Sequence, residues 1–199
     1  LHNLGAMAGY SYQDDDAKGL YQWAKDFPTD MFGPWNIGSM NDMKDNKAAM
    51  TSYRNTHKLI SFFGRVTYNY DEKYMFMASL RLEGSSRFGD NHKWGWFPAV
   101  SAGWRLSKEN FLKEVKWLDD LKFRVGYGVT GNEVNANLLS MYLLGYGGYA
   151  YINGKWTQGA APYQNPNPDL KWETKSELNF GLDFSFLKNR LSGSVDVYH

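Results

Sequence analysis

The feature that most constrains this chain is a two-residue alternation kept up over runs of about ten residues. Residues 74–82 read YMFMASLRL, and residues 96–106 read WFPAVSAGWRL. On one face of such a run every side chain is uncharged, and the charges fall on the other. A period of two belongs to an extended strand with unlike faces. Seven segments carry it. The first shows Leu4, Ala6, Ala8, Tyr10 and Tyr12 on one face, and the second Ile60, Phe62, Val66, Tyr68 and Tyr70. The third shows Tyr74, Phe76, Ala78, Leu80 and Leu82, and the fourth Trp96, Pro98, Val100, Ala102, Trp104 and Leu106. The fifth shows Leu121, Phe123, Val125, Tyr127 and Val129. The sixth shows Trp172, Thr174, Ser176, Leu178, Phe180, Leu182 and Phe184, and the seventh Leu191, Val195 and Val197 around Gly193.

The opposite faces hold Arg65, Lys73, Arg81, Glu83, Arg105, Lys122, Arg124, Glu173, Lys175, Glu177, Asp183 and Asp196. A soluble sandwich also alternates, so the decision rests on length and on where the rings fall. Soluble strands run to about 5–6 residues, whereas a tilted membrane strand needs about 9–11. Aromatics gather at the strand ends. Tyr10 and Tyr12 close the first segment, Tyr68, Tyr70, Tyr74 and Phe76 flank one turn, and Trp96 and Trp104 bracket the fourth. Small and aliphatic residues fill the middles. That is the pattern of two aromatic girdles at the lipid–water interfaces of a transmembrane β-barrel. The expected interface aromatics are Tyr10, Tyr12, Tyr68, Tyr70, Tyr74, Trp96, Trp104 and Trp172.

Composition agrees. The 199 residues carry a net charge of +1, which gives no field for nucleic acid, and no cysteine, which removes disulfides and thiolate metal sites. Mean hydropathy is −0.57, and no apolar run reaches the ~18 residues of a membrane helix. Barrel strands escape that test because they alternate. The chain opens on Leu1 and stops inside an alternating run, so it is expected to be a piece of a longer polypeptide.

The connections alternate in length. "YDEK" (70–73) and "FLKNR" (186–190) are tight, residues 13–58 and 131–171 are long loops, and residues 107–120 have room for a short helix. Tight turns on one side and long loops on the other match the periplasmic and extracellular ends of an outer-membrane barrel. The 84–93 turn falls on the extracellular side. Strands 1 to 7 are expected to pair as sequential antiparallel neighbours.

Four stretches carry a family likeness: "SFFGRVTYNYDEKYMFMASLRLEGSSRFG", "WGWFPAVSAGWRLSKENFL", "LKFRVGYGVTGN" and "NPNPDLKWETKSELNFGLDFSFLKNRLSGSVDVY". In this order and spacing they resemble the barrel of SusC/RagA-type TonB-dependent transporters, nutrient importers of Bacteroidetes outer membranes. The likeness covers residues 58–132 and 162–199 well and 1–13 less closely. Glu83 stands where that family commonly has Asp. The resemblance implies an all-β fold, part of a 22-stranded transmembrane barrel, with a plug domain that these residues do not include. It implies a bacterial outer-membrane location and glycan or peptide cargo. It also implies a SusD-like surface lipoprotein as lid and TonB as energy source. Seven strands leave two open edges, so this segment alone is not expected to transport.

Candidate site residues follow from the loops. Trp23, Trp35, Tyr142, Tyr146, Tyr149, Tyr151, Trp156 and Tyr163 are aromatic and off the lipid faces. Sugars lay their C–H faces on such rings; the plainer alternative is that the rings pack the loops or meet the lid. Asp14, Asp15 and Asp16 open the first long loop, and clustered carboxylates can hold Ca²⁺. A solvated turn is the ordinary reading there, and no cofactor is expected. Glu83, Glu173 and Glu177 suit a glycosidase pair, but their alternation puts them on a wet barrel wall, so no enzymatic activity is expected. "GYGVTGN" (126–132) follows a strand with no helix after it, unlike a phosphate loop. His2, His57, His92 and His199 have no metal-ligand spacing. A soluble carbohydrate-binding β-sandwich and a surface glycosidase are the rival readings. The sandwich predicts that the apolar face is covered by a second sheet, and the glycosidase predicts carboxylates converging in one pocket.

Overall fold

Branched, aromatic and small residues alternating with polar ones favour extended chain with one apolar face, and that is how the chain folds. The computed structural model describes residues 1–33, 35–41 and 49–199. The strands are β1 (His2–Trp23), β2 (Ala49–Tyr70), β3 (Tyr74–Ser85), β4 (Trp94–Arg105), β5 (Leu118–Asn132), β6 (Leu144–Ile152), β7 (Lys155–Pro162), β8 (Glu173–Phe186) and β9 (Leu191–Tyr198). Seven of them form one sheet in the order β1-β2-β3-β4-β5-β8-β9, and β6 with β7 forms a separate two-stranded hairpin. The ladders from β2 onward are antiparallel, without a Greek-key crossing. The expected meander is therefore present.

Three connections differ from expectation. Residues 13–58 are not all loop, because β1 runs on to Trp23 and β2 already begins at Ala49. The flanking stretches QDDDAKGLYQW and AMTSYRNTHK put polar groups on both faces, so they give no apolar alternation to detect. Residues 131–171 contain the β6–β7 hairpin. Residues 107–120 hold no α-helix; a 3-10 turn at Leu106–Lys108 leads into further turns and then β5.

The chain divides into two units. One comprises Leu1–Gln13 and Lys58–His199, the other Asp14–His57. In the smaller unit Arg54 donates two hydrogen bonds to Asp16, at 3.0 and 3.2 Å. Gly19 there lies so close to the Tyr53 ring that a Cβ would stand 2.3 Å from it.

In the larger unit the register aligns the uncharged faces. Val66, Ala78, Val100, Tyr127 and Leu178 are successive cross-strand partners, as are Tyr70, Tyr74, Trp104, Phe123, Leu182 and Val195. This face is open: Val66, Phe76, Leu80, Val100, Tyr127 and Phe180 are all more than a third exposed. An apolar face of this extent left uncovered contradicts a soluble sandwich, which would bury it under a second sheet. The other face carries the charges. Arg124 of β5 forks onto Asp183 of β8 at 2.8 and 2.9 Å and reaches Asp196 of β9 at 3.1 Å. Such pairing suits a wall that faces water, where each charge needs a partner or a solvent shell.

Candidate functional site

The eight loop aromatics do not form one group. Tyr146, Tyr149, Tyr151 and Trp156 come together on the β6–β7 hairpin, and the local sequence explains how. In the ladder, Tyr146 faces Ala160, Tyr149 faces Gln158, and Tyr151 faces Trp156, with the register shifting between Tyr146 and Tyr149. Directly opposed residues in an antiparallel pair share a face. Trp156, Gln158 and Ala160 are two apart and share a face, so their three tyrosine partners share it too. Without the bulge Tyr146 would point the other way, because it stands three positions, an odd number, before Tyr149. The bulged residues are Gly147 and Gly148, and Gly148 has a φ of +72°, a conformation glycine adopts without a steric penalty.

The result is a row of four rings. Tyr146 is 77% exposed, Tyr149 67%, Tyr151 64% and Trp156 70%. Tyr151 and Trp156 meet edge to face at 5.4 Å. The hairpin base is tied by backbone bonds from Tyr163 N to Leu143 O, at 2.8 Å, and from Asn167 N to Leu139 O, at 2.9 Å. Gln164 Nε2 adds bonds to the carbonyls of Leu138 and Met141, at 2.7 and 3.1 Å. Tyr142 and Tyr163 stand exposed at this base. Trp23 and Trp35 belong to the smaller unit. Trp23 ends β1 with Lys25 Nζ 5.7 Å from its ring centroid, and Trp35 is 77% exposed.

The excursion that carries the hairpin is anchored by residues that the sequence reading did not bring together. Phe88 is buried against Trp172, with ring centroids 4.9 Å apart, and Trp172 meets Phe97 edge to face at 5.3 Å. Leu59, Val129, Val134 and Leu170 pack around these three rings. Trp172 Nε1 donates to the Lys93 carbonyl at 3.0 Å. Gly89 is pressed against Pro168, where a Cβ would sit 1.8 Å from the carbonyl oxygen. Beside the rings, Arg87 donates to Glu133 at 2.9 Å and to Asn137 at 2.8 Å, and Ser85 also donates to Glu133. "SSRFG" therefore does more than shape its own turn: it clasps "NPDLKW" and the start of the excursion. The signal was two aromatic-containing motifs at the same end of the sheet, one following β3 and one leading into β8.

Trp172 must accordingly leave the set of interface aromatics. It is only 8% exposed. Strand parity put it on the apolar face, but β8 starts at Glu173, so Trp172 precedes the pleat and turns onto Phe97 instead. Val129 leaves the open face for the same cluster. Tyr10, Tyr12, Tyr70, Tyr74, Trp96 and Trp104 are exposed, and Tyr68 is half-buried. Trp94, outside the segments read from sequence, joins the open face at 49% exposure, with its ring lying over Gly84. At the tight-turn end, the Tyr74 hydroxyl and Trp104 Nε1 both donate to Glu109, at 2.8 and 2.9 Å. Lys73 reaches the same carboxylate at 2.6 Å. Donation by Lys73 and then Trp104 brings the Glu109 pKa down to about 2.

The carboxylates that would make up a glycosidase pair are dispersed. Glu83 accepts from Ser61 and Arg81, Glu173 from Asn132, and Glu177 pairs with Lys175. Asp16 is engaged by Arg54 and Lys18, and Asp15 by His57. Among the described residues no three His, Asp or Glu side chains converge as a metal cage. "GYGVTGN" lies within β5, and Phe97 occupies the space a side chain at Gly131 would need.

Comparison with known proteins agrees with this architecture. The family model described as TonB dependent receptor-like, beta-barrel matches residues 2–199. The chain is 38% identical over 199 residues to TonB-dependent receptor P39 of Formosa agariphila, covering 99% of this chain and 18% of that protein. It is 38% identical over 151 residues to TonB-dependent receptor SusC of Bacteroides thetaiotaomicron, covering 74% of this chain and 15% of that one. Among solved structures it is similar to the RagAB peptide transporter, with a TM-score of 0.86 and 29% identity over 99% of this chain and 21% of that chain. The chain thus spans about a fifth of the length of these relatives. It belongs to the TonB-dependent receptor β-barrel family and is a SusC-like segment of a bacterial outer-membrane barrel. That family is one of receptors and transporters rather than enzymes.

Proposed function

We propose that, within the whole protein of this TonB-dependent receptor family member, the β6–β7 hairpin presents its aromatic row to cargo at the extracellular rim. The protein acts as an importer of oligosaccharides or peptides. A SusD-like lipoprotein covers the rim, and TonB supplies the energy from the periplasmic side through other parts of the polypeptide. The observation that carries this reading is the Gly147–Gly148 bulge, which turns Tyr146 onto the face of Tyr149, Tyr151 and Trp156. A loop built only to cover the rim has no use for four rings aligned and left in water. Flat exposed rings bind the C–H faces of pyranoses or the apolar side chains of an extended peptide, and Gln158 between them offers both a donor and an acceptor.

The hairpin can be removed without breaking the sheet, because Leu143 and Tyr163 are hydrogen-bonded neighbours at its base. Replacing residues 144–162 by a short glycine linker in the full-length transporter should leave barrel assembly intact and reduce cargo or lid binding. Unchanged binding and uptake would reject the reading. Loss of assembly would make the hairpin a structural support instead.

A further inference from the structure

The connector between β4 and β5, at the tight-turn end, has an organisation of its own. Successive backbone bonds run from Glu109 N to Leu106 O, Leu112 N to Glu109 O, Val115 N to Leu112 O, and Leu118 N to Val115 O, each of 2.9–3.1 Å. A three-residue repeat of this kind stacks every third side chain, and from Glu109 onward burial follows the same period. Leu106, Glu109, Leu112, Val115 and Leu118 are half-buried, whereas Phe111, Lys113, Lys116 and Trp117 are exposed. The connector is thus a fixed ledge with one inward stripe and two outward ones.

The ledge continues the lipid-facing surface. The Trp117 ring lies 5.4 Å from Phe186, and Phe186 stacks on Phe184 at 5.3 Å. The β8–β9 turn joins it through Leu187 N to Trp117 O, at 3.0 Å, and Asn189 N to Asp119 Oδ2, at 2.9 Å. Three neighbouring cations on this rim are paired: Lys73 with Glu109, Lys108 with Glu72, and Arg105 with Glu72 and Asp120. Lys113, Lys116, Lys188 and Arg190 are exposed, and among the described residues none lies in an ion pair. Glu114 and Asp119 are the only acidic side chains between Lys113 and Trp117 and in the bonded turn junction, so the ledge keeps an excess of positive charge.

We propose that this ledge is a binding site for anionic phospholipid of the periplasmic leaflet. Lys113, Lys116, Lys188 and Arg190 meet the phosphate groups, and Phe111 and Trp117 sit at the boundary between headgroups and acyl chains. Two features select that occupant. The patch is continuous with the apolar face, so whatever covers it also borders the bilayer. Its chemistry, rings beside unpaired cations, is that of interfacial anchoring. A peptide or protein partner would not need the ring row to run on into Phe184 and the strand face. The proposal rests on the reading of that face as lipid-facing.

The test uses the full-length protein and counts retained short-chain phosphatidylglycerol against short-chain phosphatidylcholine by native mass spectrometry, with insertion into vesicles followed separately. The wild type should retain phosphatidylglycerol in preference. Lys113→Gln with Lys116→Gln, and Lys188→Gln with Arg190→Gln, should each weaken that preference, on the order of fivefold per cation removed. Lys113→Arg with Lys116→Arg should preserve it. Excess inorganic phosphate should not displace the lipid. Equal retention of the two lipids, an undiminished preference in the fourfold glutamine variant, or full displacement by inorganic phosphate would overturn the proposal. Normal insertion with no lipid preference would reject the ledge while sparing the lipid-facing reading. A wild type that fails to insert would reject both.

Discussion

The two ends of the sheet use aromatic residues in opposite ways. At the tight-turn end Tyr74 and Trp104 point off the sheet, with their polar tips held by Glu109 and their ring faces exposed. At the long-loop end Trp94 and Trp96 are exposed on the same face, but Phe97, Phe88 and Trp172 turn inward and close over one another. We propose that the bilayer interface finishes one end, accepting amphipathic rings without covering them with protein. The other must hold a forty-residue excursion in place, and protein alone can do that. A ring's position on a strand therefore does not state its role; what decides is whether a chain segment returns to cover it.

That contrast is open to attack, first at the inward cluster. Phe88→Ala removes a buried ring, a change that ordinarily costs about 3–5 kcal/mol. Hydrogen exchange in residues 133–143 and 163–172 should accelerate strongly, while the 70–74 turn and the 106–117 connector stay protected. Equal loosening of both ends would mean that they are not separate constructions. Arginine substitutions come next. Val100→Arg, four residues from Trp96 and four from Trp104, should cost ~2–4 kcal/mol in lipid refolding titrations, and Trp96→Arg only ~0–1. Trp96 and Trp104 are eight residues apart, or ~27 Å of strand at ~3.4 Å per residue, which a ~40° tilt reduces to ~20 Å, close to the ~25 Å apolar band of outer-membrane barrels. Similar losses at both sites would remove the depth assignment.

The smallest effect is a titration at the tight-turn rim. The Glu109 pKa is lowered from 4.5 to about 2 in the folded protein. A carboxylate depressed in this way contributes stability above its unfolded pKa and loses it as pH falls through the folded one. Between pH 8 and 5 the rim should be unchanged; between pH 4.5 and about 2 the Tyr74 and Trp104 bonds should weaken and nearby exchange should rise. Glu109→Gln should abolish that acid-induced step. A step of the same size in the variant would assign it to another group.

Much of this was legible in the sequence. Period-two alternation gave seven strands and their order because one face had to be uncharged along each. It failed where both faces are polar, as at 13–23 and 49–58, since a strand held by its backbone ladder and by pairs such as Asp16–Arg54 leaves no hydropathy trace. The β6–β7 hairpin was hidden by its glycines, which break the very alternation they correct in space. Tyr146, Tyr149, Tyr151 and Trp156 were recognisable as rings away from lipid, but their common face depends on the bulge. Trp172 was misplaced by extending parity one residue beyond the strand.

The central claim is that alternate residues of β3 and β4 face lipid and the barrel interior. These residues contain no cysteine, so single cysteines can be placed at Ser79, Leu80, Val100 and Ser101 in an otherwise cysteine-free full-length protein and spin-labelled in liposomes. Accessibility to oxygen and to a water-soluble nickel complex then reads the surroundings of each label. The account predicts high oxygen and low nickel accessibility at Leu80 and Val100, and the reverse at Ser79 and Ser101. The same accessibility at all four positions, or the inverted order, would contradict it.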